Sequence, residues 1–304
     1  MTPLIVRLPN HLGDACMAVP ALDLLAAYGR ALTLVGRPWA GALFAAYRWP
    51  LVALRGSRRD HVHSLRSARG VPGAAGLLLT NSFSTALEFR LAGITPTGYA
   101  RGGRSWLLAH SVAVNDADHM VEYYHRLARA VVSADAKVPR DLKLQIAADA
   151  KARAHALLAG SGVPDRYVVL CPVAVGRHHG KVKAWSGFAR LNQELLERGE
   201  HVVAMPGPGE ATAVTNALPG ATVLPESDVG AFAAVLASAR AVVANDSGPG
   251  HLAAAVGAPL VSVFGVTEPE KTRPWSSRMS LVGSGSGWPS YEEVRTAVDA
   301  MLAG

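Results

Sequence analysis

The residues most suited to chemistry in this chain form the turn NDSGPGH at positions 245–251. The turn joins a valine-rich apolar run, Ala241–Ala244, to an alanine-rich run, and a second apolar run, Leu260–Phe264, follows. This pattern predicts a βαβ unit whose helix begins at the carboxyl edge of a parallel sheet. Unpaired N–H groups and the positive end of the helix dipole make such a helix start a seat for a diphosphate. An ordinary helix capped by Ser247 explains the same spacing, so both interpretations stay open.

A second set of residues suited to binding consists of arginines in the first half of the chain. Residues 1–150 hold 17 Lys/Arg and 10 Asp/Glu, whereas residues 151–304 hold 13 of each, so the net charge of +7 belongs to the first half. Such a field favours an anionic partner: a phosphorylated substrate, an acidic membrane surface or a nucleic acid. A charged face that contacts only solvent is the alternative. The candidate residues are Arg55, Arg58, Arg59, Arg66, Arg69, Arg101 and Arg104.

The elements that must position these residues follow from apolar runs that alternate with amphipathic segments. Runs such as Leu4–Leu8 and Tyr167–Cys171 predict buried strands, and segments such as Ala15–Tyr28 predict the helices between them. Strands that alternate with helices imply parallel βαβ architecture. Because the cycle restarts after a polar passage near residue 140, we predict an α/β fold with two doubly wound domains, residues 1–145 and 146–304. Asp14 is expected to cap the helix that follows it.

Composition and missing motifs exclude several classes of protein. The two cysteines, Cys16 and Cys171, lie far apart in apolar stretches, which indicates a reducing compartment without a disulfide framework or a metal cluster. We find no signal peptide and no uncharged apolar run of about 18 residues, so we expect a cytoplasmic protein. The first strand–helix turn has one glycine, and Gly207-Pro208-Gly209 lacks a third, which disfavours a dinucleotide dehydrogenase. Walker A, HExxH and GxSxG motifs are absent.

Several separated motifs share one order along the chain. Those of the first half are Arg7, Gly13-Asp14, Pro20-Ala21-Leu22, the run Asn81-Ser82-Phe83-Ser84, Gly98-Tyr99, Arg104, Leu107-Leu108, His119, Tyr124 and Leu127-Ala128. Those of the second half are Cys171-Pro172, Lys183-Ala184-Trp185, Gly207 with Glu210, the NDSG turn with His251, the run FGVTEP at 264–269, Pro289 and Val294. Together they resemble the bacterial heptosyltransferases, glycosyltransferase family 9. The resemblance covers nearly the whole chain, and NDSGxxH followed by FGxTxP is its most specific part.

The resemblance implies a GT-B architecture of two Rossmann-like doubly wound domains that face each other across a cleft. The first domain would bind the acceptor and the second the nucleotide sugar, with the last helix free to pack back on the first. It implies inverting, metal-independent transfer of heptose from ADP-heptose, without a further cofactor, to an acidic glycan such as the lipopolysaccharide inner core. The expected partners are a nucleotide sugar and an anionic glycolipid, not a nucleic acid. Peripheral contact with the inner face of the inner membrane is left open.

Two alternatives to this function also stay open. One is a related GT-B enzyme that uses another nucleotide sugar, or a protein or small-molecule acceptor. The other is a non-catalytic protein that binds nucleotide sugars. The residues Asp14 and Lys183 and the NDSG turn are all present, which favours an enzyme.

The resemblance also assigns roles to single residues. Asp14 would be the base that takes the proton of the acceptor hydroxyl, and Lys183 would meet the diphosphate as a point charge. A helix cap and a solvated loop lysine are the respective alternatives. Asp246 either accepts hydrogen bonds from the sugar or only organises its turn, and Glu210 either binds the ribose or only starts a helix. The full predicted donor set is Lys181, which competes with Lys183, together with Glu210, Asn245, Asp246, Ser247, Gly248 and His251.

Overall fold

The structure is a computed structural model that describes residues 2–174, 177–178, 181–284 and 286–303, with the backbone alone at 177–178 and 181–182. The chain forms two compact units, Met1–Pro139 and Arg140–Gly304. The second unit therefore begins six residues before the predicted boundary at residue 146. Each unit is built on its own six-stranded sheet.

All strands of the first sheet run parallel. They are β1 Thr2–Arg7, β2 Arg30–Gly36, β3 Leu51–Ala53, β4 Ala74–Leu78, β5 Ile94–Tyr99 and β6 His110–Val112, in the order β3-β2-β1-β4-β5-β6. The helices are α1 Leu12–Met17, α2 Val19–Ala27, α3 Ala40–Leu43, α4 Arg58–Ala68, α5 Phe83–Leu91 and α6 Met120–Val132, with 3₁₀ turns at Ala45–Tyr47 and Ser105–Leu107. Because the strands share one direction, the loops after β1, β4 and β5 lie along one edge of the sheet.

The second unit repeats this plan. Its parallel strands are β7 Val168–Cys171, β10 Val202–Ala204, β11 Thr222–Val223, β12 Ala241–Asn245, β13 Leu260–Val263 and β14 Met279–Val282, in the order β11-β10-β7-β12-β13-β14. A separate antiparallel pair consists of β8 Arg177–His178 and β9 Lys181–Val182. The helices are α7 Ala148–Gly160, α8 Phe188–Glu197, α9 Ala211–Ala217, α10 Val229–Ser238, α11 Gly248–Ala255, α12 Pro269–Thr272 and α13 Tyr291–Ala303.

The central strands of the second sheet, from which the loops of this edge emerge, lie in the hydrophobic core. Every residue of β7, β12 and β13 is buried. A parallel sheet covered by helices on both faces requires continuous apolar runs, which is how these segments read in the sequence. Full burial of each valine or leucine side chain contributes about 1.5–3 kcal/mol. The last helix, α13, buries Val294 and Val298 and contacts β12, β13 and β14, which are strands of its own unit.

The segment predicted as one helix, Ala15–Tyr28, forms two helices, α1 and α2, which meet at Ala18. Pro20 explains the break, because it has no N–H to donate to the carbonyl group four residues before it. The first helix also begins earlier than expected, with His11 at the N-cap position, so the cap predicted for Asp14 is wrong. Asp14 lies at the third helical residue, where a carboxylate still interacts favourably with the helix dipole.

Candidate functional site

The carboxyl edge of the second sheet holds a cluster of four polar side chains. Asp246, the first residue after β12, lies at its centre and is surrounded by the other three. The Lys183 Nζ atom lies 2.7 Å from Asp246 Oδ2, and the Thr267 hydroxyl donates to the same oxygen at 2.6 Å. His251 Nε2 lies 3.8 Å from Asp246 Oδ1. The strand order explains this convergence, because β12 lies between β7, which precedes the loop of Lys183, and β13, which precedes the loop of Thr267.

The carboxyl group of Asp246 is held in its ionised form. Only 5% of the residue is exposed, and burial by itself raises the pKa of a carboxyl group. Its hydrogen-bonded neighbours outweigh burial and hold the pKa of Asp246 well below its usual range. The His251 contact is longer than a hydrogen bond, so we assign this lowering mainly to Lys183 and Thr267. Asp246 in turn fixes the Lys183 ammonium group at the sheet edge.

Asn245, the last residue of β12, is fully buried and uses its amide group within the protein. Its Oδ1 accepts the backbone N–H of Trp185 at 2.9 Å, and its Nδ2 donates to the Pro172 carbonyl oxygen at 2.9 Å. These bonds join the loop after β7 to the end of β12. They also set the position of Lys183, which lies two residues before Trp185.

The start of α11 has no side-chain cap. Ser247 occupies the N-cap position, but its hydroxyl donates to the Asn245 carbonyl oxygen at 3.1 Å and accepts no helical N–H, so the side-chain cap of the alternative interpretation does not form. The helix begins at Gly248, within the predicted turn, and Pro249 offers no N–H. A Cβ atom at Gly250 would lie 3.2 Å from the Asn245 carbonyl oxygen, so the turn packs closely on β12. Uncapped N–H groups at a helix start are what an anion site needs.

Glu210 closes the glycine loop that follows β10. Its Oε2 accepts the backbone N–H of Gly207 at 3.0 Å, and its own N–H donates to the Gly207 carbonyl oxygen at 3.0 Å. The residue occupies the N-cap position of α9 without bonding a helical N–H through its side chain. Its carboxylate therefore shapes the loop and does not cap the helix.

His251 and Lys181 complete the predicted donor set. His251 is buried in α11, and its Nδ1 has no hydrogen-bond partner within the described ranges. The side chain of Lys181, on β9, lies outside what the structure describes. The choice between Lys181 and Lys183 as the diphosphate ligand therefore stays a prediction, although Lys183 is the one seen in the Asp246 cluster.

The predicted base, Asp14, lies at the carboxyl edge of the first sheet, in the first turn of α1. Tyr124, on α6, donates its hydroxyl to Asp14 Oδ1 at 3.2 Å. Asp14 is half-buried, whereas Tyr124 is buried. Ligands of doubly wound sheets bind at this edge, so the position suits a residue that contacts a substrate.

The described residues contain no group of three or more His, Cys, Asp or Glu side chains that is arranged to hold a metal ion. None of the helices described is both long enough and apolar enough to cross a bilayer.

The comparison with known proteins settles the family. The model of glycosyltransferase family 9 (heptosyltransferase) matches residues 65–300. The chain belongs to glycosyltransferase family 9. It is 29% identical over 265 residues to lipopolysaccharide heptosyltransferase 2 of Escherichia coli strain K12, a match that covers 79% of this chain and 72% of that protein.

Solved structures of similar proteins share the fold of this chain. The E. coli ADP-heptose lipopolysaccharide heptosyltransferase II matches with a TM-score of 0.80 at 24% identity, over 100% of this chain and 99% of that one. The E. coli heptosyltransferase WaaC with ADP-2-deoxy-2-fluoro heptose matches with a TM-score of 0.75 at 20% identity, over 99% of each chain. The predicted α/β fold of the GT-B class and the predicted glycosyltransferase activity are both confirmed.

One predicted acceptor residue of this family 9 transferase is not on its surface. Arg104 is fully buried, and its guanidinium donates to the carbonyl oxygens of Thr80 at 2.5 Å and Tyr99 at 3.2 Å. Burial lowers the pKa of Arg104. The side chain ties together the loops after β4 and β5, and a count of charges along the sequence could not reveal this burial.

The other arginines of the predicted acceptor set differ in what they contact. Arg66 donates to the Leu91 carbonyl oxygen at 2.9 Å, and Arg69 donates to that of Ala92, so both secure the end of α5. Arg101 forms an exposed ion pair of 2.8 Å with an aspartate. Three arginines are exposed and have no polar partner in the part of the chain that the structure describes. They are Arg55, Arg58 and Arg59.

Two residues that contact the site of this family 9 enzyme, Thr267 and Tyr124, were given no role by their sequence motifs. A signal for Thr267 was available, because it follows the strand next to β12 and therefore shares a sheet edge with Asp246. Tyr124 reaches Asp14 from 110 residues away along the chain, and no local pattern encodes that contact.

Proposed function

We propose that this family 9 transferase moves a heptose from ADP-heptose to an anionic glycan such as the lipopolysaccharide inner core. In this proposal the anomeric carbon is inverted, and neither a metal ion nor a further cofactor takes part. The observation that carries the proposal is the cluster of Lys183, Asp246, Thr267 and His251 beside the uncapped start of α11. Two of the similar proteins are named for heptose transfer to lipopolysaccharide, and one was solved with a fluorinated ADP-heptose.

The second unit would stabilise the leaving group. The Lys183 ammonium and the first N–H groups of α11 lie where they can meet the charge that develops on the diphosphate. His251, whose Nδ1 has no hydrogen-bond partner among the residues that the structure describes, adds a donor. Asp246 Oδ1 has no neighbour at hydrogen-bond distance within the described ranges, so it can accept a hydrogen bond from a hydroxyl group of the sugar.

The first unit would supply the base. Asp14 takes the proton of the acceptor hydroxyl while that oxygen attacks the anomeric carbon on the face opposite the diphosphate. The new bond from carbon to acceptor oxygen forms, the bond from carbon to phosphate oxygen breaks, and ADP leaves with the electron pair. Attack on the opposite face inverts the configuration.

The charge of the first unit would attract the acceptor. Arg55, Arg58 and Arg59 lie together at the start of α4, exposed to solvent. A field of this sign concentrates phosphates and carboxylates near the surface. The same residues suit contact with an anionic leaflet, so we place the enzyme in the cytoplasm, in peripheral contact with the inner face of the inner membrane.

The test is turnover of ADP-heptose on lipopolysaccharide truncated in its inner core. We expect mass spectrometry to show one added heptose, unchanged activity in EDTA, and an anomeric configuration in the product opposite to that of the donor. A panel of other nucleotide sugars, and of protein and small-molecule acceptors, is tested in parallel. Consumption of a different donor with no use of ADP-heptose would assign the chain to another reaction on the same fold.

A further inference from the structure

The hydroxyl of Tyr124 is hydrogen-bonded to the proposed base, and the reaction above does not use it. It donates to Asp14 Oδ1 at 3.2 Å. Within the described ranges the other carboxylate oxygen, Oδ2, has no hydrogen-bond partner. The two oxygens of Asp14 are therefore not equivalent: one is occupied by the protein and one is free for a substrate.

The surrounding structure fixes the Tyr124 hydroxyl in place. Only 3% of Tyr124 is exposed, and its ring meets that of Tyr123 edge-on at 5.9 Å between centroids. The Tyr123 hydroxyl donates to Asn81 Oδ1 at 3.1 Å, and the Tyr99 hydroxyl donates to the Tyr123 carbonyl oxygen at 2.7 Å. Helix α6 is thus bonded to β5 and to the loop after β4, in both cases through Tyr123, the residue before Tyr124.

We propose that Tyr124 is a positioning residue, which holds the Asp14 carboxylate so that Oδ2 alone receives the proton of the acceptor hydroxyl. This inference rests on the proposed role of Asp14 as the base. A carboxylate that is free to rotate presents either oxygen in several directions, whereas a hydrogen bond to one oxygen fixes both. Rates of proton transfer depend on such geometry, because the base must lie within hydrogen-bond reach of the proton.

The same hydrogen bond favours the ionised carboxylate. A donor to a charged carboxylate stabilises the charged form, so loss of the donor should move the acid limb of the pH–rate profile to higher pH. Burial raises the pKa of Tyr124 well above its usual value, and the negative charge and hydrogen bond of Asp14 raise it further. Tyr124 therefore stays protonated and remains a donor across the working pH range.

Other titratable groups near the pair must be separated from this effect. Burial raises the pKa values of Cys16 on α1, Tyr123 on α6 and Tyr99 on β5, so all three stay neutral. His125 on α6 has a pKa lowered by burial and then by the charge of Arg129. Helix α2, which packs on α6, carries Asp23, and burial raises its pKa to about 6.

The experiment measures kcat and KM against pH for Tyr124→Phe, which removes the hydroxyl and keeps the ring. All profiles are recorded in an Asp23→Asn background, so that this carboxyl group cannot contribute. We expect kcat to fall roughly 10- to 100-fold, the size of a lost hydrogen bond to a charged group, with both KM values within about twofold. The acid limb of the profile should move to higher pH.

Tyr99→Phe is the matched control. It removes a buried hydroxyl that anchors the same helix but leaves Tyr124 and Asp14 intact. We expect lower thermal stability with an unmoved acid limb. A shift of the acid limb in Tyr99→Phe equal to that in Tyr124→Phe would mean that a loosened helix, and not the Tyr124 hydroxyl, causes the effect, and would overturn the proposal.

A double variant separates this inference from the proposed function. If Tyr124 acts through Asp14, Tyr124→Phe should cause no further loss in an Asp14→Asn protein. A further loss as large as in the parent enzyme would show that Tyr124 acts independently and overturn the inference. If Asp14→Asn alone kept full activity, the proposed base would fail and this inference with it. An inactive Asp14→Asn protein with a parental Tyr124→Phe profile would overturn only the inference.

Discussion

Asp14 and Asp246 each lie after a central strand at the carboxyl edge of a six-stranded parallel sheet, β1 in the first unit and β12 in the second. Their surroundings differ. Asp246 is buried, faces a lysine, a threonine and a histidine, and has a pKa held well below its usual range. Asp14 is half-buried and accepts a hydrogen bond from a neutral tyrosine. A cationic partner stabilises the ionised form of a carboxylate, whereas a carboxylate with one oxygen unbonded can exchange a proton with a substrate.

The largest effect should come from Asp14→Asn. The amide keeps the shape and the hydrogen bond from Tyr124 but cannot take a proton, so kcat should fall roughly 10²–10⁴-fold. Thermal stability and ADP affinity should stay nearly unchanged. If Asp14→Asn keeps more than about a tenth of the parental kcat, Asp14 is not the base, and the proposed functional difference between Asp14 and Asp246 is wrong.

The next effect should come from Lys183→Ala. Loss of a charged partner should weaken ADP binding by about 1–3 kcal/mol, measured by calorimetry. Lys151→Ala, on the exposed face of α7, is the control and should bind ADP as the parent does. Lys183→Ala also leaves Asp246 without its lysine partner, so the thermal stability of this variant should fall. Adding Asp246→Asn should restore the thermal stability, whereas the affinity for ADP should stay low. Unchanged ADP affinity would assign the role to Lys181 or to no lysine.

A third carboxylate sharpens the comparison, because Asp23 on α2 is half-buried and has no polar partner among the described residues. Burial raises its pKa from 3.8 to about 6. Since the folded-state pKa lies above the unfolded value, ionised Asp23 costs stability above pH 6, and the cost disappears as pH falls from about 6 towards 4.

Asp23→Asn should therefore raise the melting temperature at pH 8. With part of the cost screened by solvent we expect about 1 kcal/mol, or roughly 2–4 °C, and no gain near pH 4. Asp165→Asn, an exposed change in the second unit, serves as the control. A gain of equal size at both pH values would show that charge is not the cause.

The smallest effect should come from replacing Arg55, Arg58 and Arg59 with glutamine. The acceptor KM should rise roughly two- to fivefold at low salt and approach the parental value near 0.5 M salt, because these charges are screened by ions. ADP affinity should stay the same, as should all parameters of an Arg166→Gln control in the second unit. A parental salt dependence in the triple variant would mean that these arginines only contact solvent.

Much of the fold could be predicted because parallel strands buried on both faces read as uninterrupted apolar runs, as in Ala241–Ala244. Pro20 also encodes the break between α1 and α2. We predicted a single helix there because the amphipathic pattern continues across the proline. The helix start before Asp14 could not be predicted, because His11 gives no side-chain cap.

The candidate site was predictable only in part, and the reason is the distance between contacting residues along the chain. Asp246 stands in a local motif, whereas its partners Lys183 and Thr267 come from loops 63 and 21 residues away. The burial of Arg104 depends on carbonyl groups in the loop after β4 and at the end of β5, so its charge alone suggested a surface role. Residue type indicated the chemistry, and tertiary packing decided which side chains are available for it.

The side chain of Asn245 has a consequence for redesign. Because one amide group bonds the backbone on both sides of the Lys183 loop, at Pro172 and Trp185, that loop and the end of β12 form a single cassette. Exchanging either segment alone with that of a relative would separate the Asn245 amide group from the backbone groups of Pro172 and Trp185 that it bonds. A chimera intended to accept a different sugar donor should therefore transplant both segments together, with Asn245 retained as the joint between them.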